Sequence, residues 1–274
     1  MKKTGNTIVT CTFLILAVLE AKAARSPGVV PRCPPDSVLV GTACVDTYEA
    51  SVWEIPETET ALIREVQRGR ISEASELIDA GAKQVGAVFG VDDYAPDCPS
   101  DGQGCGNLYA VSIKGVAPSS GATWFQALEL CTNSGKRLLS NAEWQAAATG
   151  TPNLLGYDDG ATTCNVGSAP YPVVFSPTGS RSQCESNRGA FDMVGNLAEW
   201  VADWGVQAAG CGNWTTAAGI PGGDTFCWGQ AASGLSVPRP IVRGGAISEA
   251  AGAGVLNAVP VDPLRTGFGF RCAR

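Results

Sequence analysis

The stretch Gly189–Trp204 reads GAFDMVGNLAEWVADW. Its Gly195-Asn196 step marks a tight turn. The acids Asp192 and Glu199 stand on either side of that turn, and Trp200 and Trp204 follow. Three further stretches accompany it in chain order: TWFQALELC at 123–131, GKRLLSNAEWQAAATG at 135–150, and VRGGA at 242–246 with GFGFRCAR at 267–274. The first of these predicts a helix. Trp124, Ala127, Leu128 and Cys131 follow the i, i+3, i+4, i+7 spacing, and Gly135 supplies the stop. In the second, Ser140 and Glu143 form a capping box for a helix running through Ala146 to Ala148 and ending before Gly150. Cys131 therefore faces inward, and its partner should come from a distant segment, with Cys272 the natural candidate.

Toward the N-terminus the pattern changes. SVLVGTACVDTYEA at 37–50 alternates as a short hairpin around Gly41. TETALIREVQRGRISEASELIDA at 58–80 is charged, and its Leu62, Val66, Leu77 and Ile78 suit amphipathic helices broken near Gly69. Residues 57–82 are accordingly expected to be a helical insertion on the main domain. At the start of the chain, Lys2 and Lys3 precede an apolar run from Ile8 to Leu19 and the small residues Ala21-Lys22-Ala23, the pattern of an export signal over 1–23. That run falls short of the about 20 apolar residues of a membrane span. The division expected is a signal at 1–23, a short linker at 24–32 and one domain over 33–274. The protein is then exported, whether secreted, periplasmic or held at the cell surface.

Removing the signal lowers the 19 basic and 26 acidic residues to 16 and 25, and the net charge from −7 to −9. An acidic surface repels nucleic acid and anionic lipid, which argues against both as partners. Of the 11 cysteines, Cys11 leaves with the signal. The even remainder suggests disulfides in an oxidising compartment. The chain has no histidine. Ser-His-Asp and Cys-His catalysis are excluded, as are His-ligated zinc, copper and iron centres. A metal here is bound by oxygen or sulfur.

The four ordered stretches resemble the formylglycine-generating-enzyme, or sulfatase-modifying factor, family. Its G-K-R-L-P-T-E-A-E-W, D-M-x-G-N-V-W-E-W, R-G-G-S-W and G-F-R-C motifs are matched over residues 123–274. The resemblance implies an α+β, irregular and loop-rich C-type-lectin-like fold stapled by disulfides, with N- and C-terminal strands paired and Cys131 joined to Cys272. The other pairs follow from sequence proximity: Cys33–Cys44, Cys98–Cys105, Cys164–Cys184 and Cys211–Cys227. The resemblance also implies structural Ca²⁺ on the quoted turn. Asp192 and Glu199 would offer side chains, and Gly195 and Leu197 carbonyls, a hard-oxygen set suited to that ion. The alternative is a solvated turn with two surface acids. A second family calcium site begins at an Asn-Ile pair, matched here by Asn165-Val166.

The same resemblance locates a loss. Family oxidases bind copper through two cysteines after R-G-G-S, and a soft thiolate pair suits Cu(I). Those positions fall near Glu249 and Gly254, and Ala246–Asp262 contains no cysteine. The Ser-Trp is replaced by Ala246-Ile247. The ergothioneine-type branch needs histidine-bound iron, so neither copper nor iron is expected. Arg137, Glu143, Trp144, Trp200 and Arg271 then read as a buried framework of aromatics and paired charges, in which Arg137 or Arg271 partners a buried carboxylate. The function expected is a non-catalytic binding or structural module for a protein or carbohydrate ligand, with Trp214, Phe226 and Trp228 in loops suited to such contacts. The alternative is an oxygen-dependent formylglycine-generating oxidase with a relocated site around Cys211 and Cys227.

Overall fold

The regular elements of the described residues are short, as frequent glycine and proline punctuation favours. The computed structural model describes residues 32–89, 91, 93–94, 96–152, 158–166, 174–205, 237–245 and 258–274. In chain order the strands are β1 (Ser37–Val40), β2 (Ala43–Asp46), β3 (Ser51–Glu54), β4 (Lys83–Val85), β5 (Leu108–Val111), β6 (Arg137–Leu138), β7 (Glu199–Gly205), β8 (Arg239–Arg243), β9 (Ala258–Pro260), β10 (Gly269–Phe270) and β11 (Cys272–Ala273). The helices are α1 (Thr60–Gln67), α2 (Ala74–Ile78), α3 (Trp124–Asn133) and α4 (Asn141–Ala147). This is the α+β, loop-rich architecture expected.

The strands form three sheets, ordered β1-β2-β11-β6, β10-β7-β8-β9 and β4-β3-β5. The first contains the expected hairpin, with Gly41 at φ +63° in its turn. It also pairs the early strand β2 with the late strand β11, Val45 opposite Ala273. In the second, β7 lies parallel to β10 and antiparallel to β8. Helix α3 covers the junction. Its Thr123 and Gln126 form a capping box, and Gln126, Ala127, Leu130 and Cys131 are buried. Helix α4 has the Ser140–Glu143 capping box. Helices α1 and α2 bury Val66 and Leu77 with Trp53 and Tyr109 of the third sheet and with Ile55 just beyond β3.

Two periodicity assignments are corrected. Leu128 and Ile78 are 36% and 58% exposed. In α3 the core face is turned toward Leu130, because Trp124 is drawn to the helix edge by its Nε1–H bond to the Val201 carbonyl (2.9 Å). In α2 only about one turn forms, so Leu77 alone reaches the core.

Four disulfides join Cys33–Cys44, Cys98–Cys105, Cys131–Cys272 and Cys164–Cys184. The third ties α3 to β11 across 141 residues, with its Cα atoms 5.7 Å apart. Cys211 and Cys227 lie outside the described residues, as do the signal segment, Trp214, Phe226, Trp228 and the stretch containing Glu249 and Gly254. Beside Cys272, the ammonium of Lys136 is enclosed between Asp36 (2.8 Å) and Asp46 (2.7 Å). Asp46 also accepts the Cys272 N–H at 3.1 Å. Asp36 in turn holds Arg274 at 3.0 Å.

A bridge of that span removes much of the unfolded chain's freedom. Replacing Cys131 and Cys272 together by serine is expected to cost about 2–5 kcal/mol. The measurement is the urea midpoint; a midpoint equal to that of the parent would show that the ion network alone holds β11.

Candidate functional site

The stretch 189–204 folds into a buried turn that leads into β7. Asp192 and Asn196 take left-handed backbone angles, φ +57° and +58°, and Gly195 lies between them at +74°. Asp and Asn tolerate that region better than other non-glycine residues, and strain of this kind collects where a structure over-determines it. Gly195 is required by contact as well. A Cβ there would stand 2.3 Å from the Asn165 carbonyl oxygen. The same carbonyl accepts the Asn196 N–H at 2.8 Å, so the Asn165-Val166 segment lies directly against the turn.

Glu49, which the sequence reading passed over, organises this turn. Its carboxylate accepts the Leu197 N–H (3.0 Å) and the Asn196 side-chain amide (2.6 Å). The Asn196 side-chain oxygen accepts from Asn165 (3.0 Å) and from the Ser176 N–H (2.9 Å). Asp192 accepts the Gly179 N–H at 2.7 Å.

Glu199 is held differently. Arg271 donates to it through Nε at 2.9 Å and Nη2 at 2.7 Å, and Trp144 through Nε1 at 2.7 Å. The remaining Arg271 donors reach the carbonyls of Phe191 (2.8 Å), Asp46 (3.2 Å) and Thr47 (3.3 Å). Of the two partners expected for a buried carboxylate, Arg271 takes Glu199. Arg137 lies at the surface, paired with Glu143 at 2.6 Å, and holds the Glu143 carboxyl down at about 2. Trp144 continues the chain of contacts: the Arg243 guanidinium lies 4.4 Å from its ring centroid and reaches Asn141 and Gln145. Gly244, at φ +85°, packs against Trp144 and the Met193 carbonyl, each 3.1 Å from where a Cβ would be.

Electrostatically, three carboxylates that are at most 2% exposed (Glu49, Asp192 and Glu199) share one equally buried guanidinium, Arg271. Burial pushes Asp192 up to about 6, and burial together with the Asp192 charge pushes Glu49 well above the usual carboxylate range. The cluster thus lacks positive charge, a condition that protons or a cation relieve. Among the described residues, no three acidic or cysteine side chains converge closely enough to hold a metal by themselves. An ion here would depend on main-chain oxygens.

Beyond Gly244 lies a small cavity of about 70 Å³ against β8 and β9, with Ala198, Val242, Val259, Val261 and Phe268 as its walls and Gly245 and Arg265 at its edge. Phe268 meets Trp200 edge-on, with ring centroids 4.9 Å apart.

Among known proteins, the family model described as FGE-sulfatase, sulfatase-modifying factor enzyme 1-like domain, matches residues 48–274. The serine/threonine-protein kinase Pkn1 of Chlamydia trachomatis is 37% identical over 92 residues, 32% of this chain and 14% of that protein. The formylglycine-generating enzyme of Thermomonospora curvata is 29% identical over 104 residues, 30% of this chain and 32% of that enzyme. The aligned stretches thus span less than a third of either relative. Among solved structures, CarF superposes with a TM-score of 0.44 at 16% identity, covering 85% of each chain. The Major Tropism Determinant P3c variant gives 0.43 at 22% identity over 88% of this chain and 52% of its own.

Removing the guanidinium would strand Glu199 in the core. Arg271→Met is expected to destabilise the protein by about 3–5 kcal/mol in denaturant unfolding. In a double-mutant cycle with Glu199→Gln, the losses should be non-additive by roughly 1–3 kcal/mol. Strictly additive losses would mean that the two side chains do not act as a pair.

Proposed function

The chain belongs to the sulfatase-modifying factor enzyme 1-like family, and from that premise we propose that it is an exported, non-catalytic binding module whose 192–199 turn is stabilised by calcium. One observation carries the non-catalytic reading: the stretch Ala246–Asp262, where the resemblance puts the copper-binding thiolates, holds no cysteine. Without a soft ligand pair or a histidine, Cu(I) has no matching donors there. The scaffold around the lost centre is retained. Arg243, Gly244, Trp144, Glu199 and Arg271 are packed together, and the cavity beside Gly245 offers a place to bind. Four disulfides support export. Among the described residues, no helix is long and apolar enough to cross a membrane.

Calcium fits the donor chemistry by charge. With all three buried carboxylates ionised against one guanidinium, the excess is two negative charges, which a divalent cation would balance when bound. Asp192 with the Gly195 and Leu197 carbonyls would hold it. Glu199, engaged by Arg271 and Trp144, contributes mainly its charge. Glu49 and Asn165 keep the turn's backbone oriented from behind.

Two measurements test this reading. At a hundredfold excess of calcium over its Kd, the folded state gains about 2.7 kcal/mol. That corresponds to a rise in Tm of roughly 5–10 °C for a domain of this size. Asp192→Asn should abolish the rise, and a Tm indifferent to calcium and chelator would remove calcium from the proposal. Incubation with Cu(I), oxygen and a cysteine peptide of sulfatase type should yield no aldehyde. Turnover would return the chain to the oxidases and move the search to Cys211 and Cys227.

A further inference from the structure

The cavity beside Gly245 has a chemistry of its own. At about 70 Å³ it is large enough to admit a small group. It is far below the about 300 Å³ at which small-molecule pockets begin. It has room for one short side chain. Apolar side chains make up most of its described lining while main chain and Arg265 add polar surface, so it suits a hydrocarbon group that carries a polar group beside it. The walls are also set in advance. Val242 stands opposite Val259 in the β8–β9 ladder, and Phe268 is braced edge-on against Trp200.

Among the described residues that line this cavity, Arg265 is the one that carries a charge. It is exposed, and its guanidinium lies 5.6 Å from the Phe268 ring centroid. Its nearest acid in sequence, Asp262, directs its carboxylate to the Leu264 N–H at 3.0 Å. Among the described residues Arg265 makes no ion pair. A planar guanidinium on an apolar rim, with its donors open, matches a carboxylate held close to a hydrocarbon group.

We infer that this cavity receives a short aliphatic side chain while Arg265 binds the carboxylate of the same residue, so that the ligand is the C-terminal residue of a peptide. The inference rests on the binding-module reading and specifies its ligand class. A C-terminal valine or alanine carries both features on one carbon. An internal acidic residue carries its carboxylate on a separate side chain, and would have to place a small neighbour in the cavity.

The test uses the ¹⁵N-labelled full chain and three probes: N-acetyl-L-valine, N-acetyl-L-valinamide, and N-acetyl-valyl-aspartic acid α-amide, whose side-chain carboxylate is free. N-acetyl-L-valine should shift the amide resonances of Gly245, Val261 and Phe268 saturably, with a Kd in the millimolar range. The valinamide should bind at least about tenfold more weakly, the scale of one charge-assisted hydrogen bond. Arg265→Gln, an exposed position, should bring the acid down to the affinity of the amide. Val259→Phe should block both. If acid and amide bind equally, Arg265 has no such role, yet the cavity remains a binding site. If the aspartyl probe binds as tightly as N-acetyl-L-valine, the C-terminal assignment is overturned. If no probe moves these resonances, both this inference and the use of the cavity by the binding module fail.

Discussion

The structure depends on one buried ion pair. Arg271 and Glu199 meet at 2.7 Å with the guanidinium wholly enclosed. Desolvating such a pair costs several kcal/mol per ion, and only full use of its hydrogen-bonding capacity offsets that. Here the capacity is used. Arg271 also holds the carbonyls of Asp46, Thr47 and Phe191, while Glu199 also receives Trp144. Those contacts bring β2, β7, α4 and the Phe191 segment to one point. In a domain whose strands run to seven residues at most among those described, ladder hydrogen bonds alone leave the sheets loosely related. The ion pair gives them a common origin, and the Arg243–Trp144 stack extends it to Gly244-Gly245 and the cavity beyond.

This explains why framework and chemistry can part company. The residues that position the R-G-G stretch are distributed over α4, β7, β8 and the segment at 271, and the contacts Arg271–Glu199, Glu199–Trp144 and Trp144–Arg243 are made among these residues themselves, with β9 paired to β8 at its edge. Substituting the ligands of a metal centre on the 246–262 stretch leaves the framework's own contacts intact. A scaffold of this kind can therefore carry a binding surface with or without a redox centre.

Much of this was legible from the sequence, for reasons that differ by element. The capping box Ser140–Glu143 and the stop at Gly135 are local signals, and the helices begin and end there. Cysteine neighbours closing short loops pair as their spacing suggests. Strands β6, β10 and β11 have two residues each and carry no periodicity to read. Leu128 and Ile78 fit a helical pattern yet face solvent, because tertiary contacts rotate α3 and α2 is too short to use its whole apolar face. Glu49 was missed for a different reason. Its partners Asn196 and Leu197 lie 147 and 148 residues away, and nothing in its neighbourhood signals that this carboxylate is enclosed. An acid just after an alternating hairpin was the available clue.

The pairing of β2 with β11 bears on how the chain reaches this state. The Asp46 carboxylate and the Cys272 amide are separated by 226 residues. The β1–β2 hairpin therefore emerges early in synthesis and waits for nearly the whole remaining chain before its sheet can close. Such long-range closure is entropically costly and slows folding. The Cys33–Cys44 and Cys98–Cys105 loops can oxidise at once, whereas Cys131 passes Cys164 and Cys184 before its proper partner appears. The order of chain emergence thus favours a mispaired Cys131, and productive maturation calls for thiol–disulfide exchange late in folding, after β11 has docked.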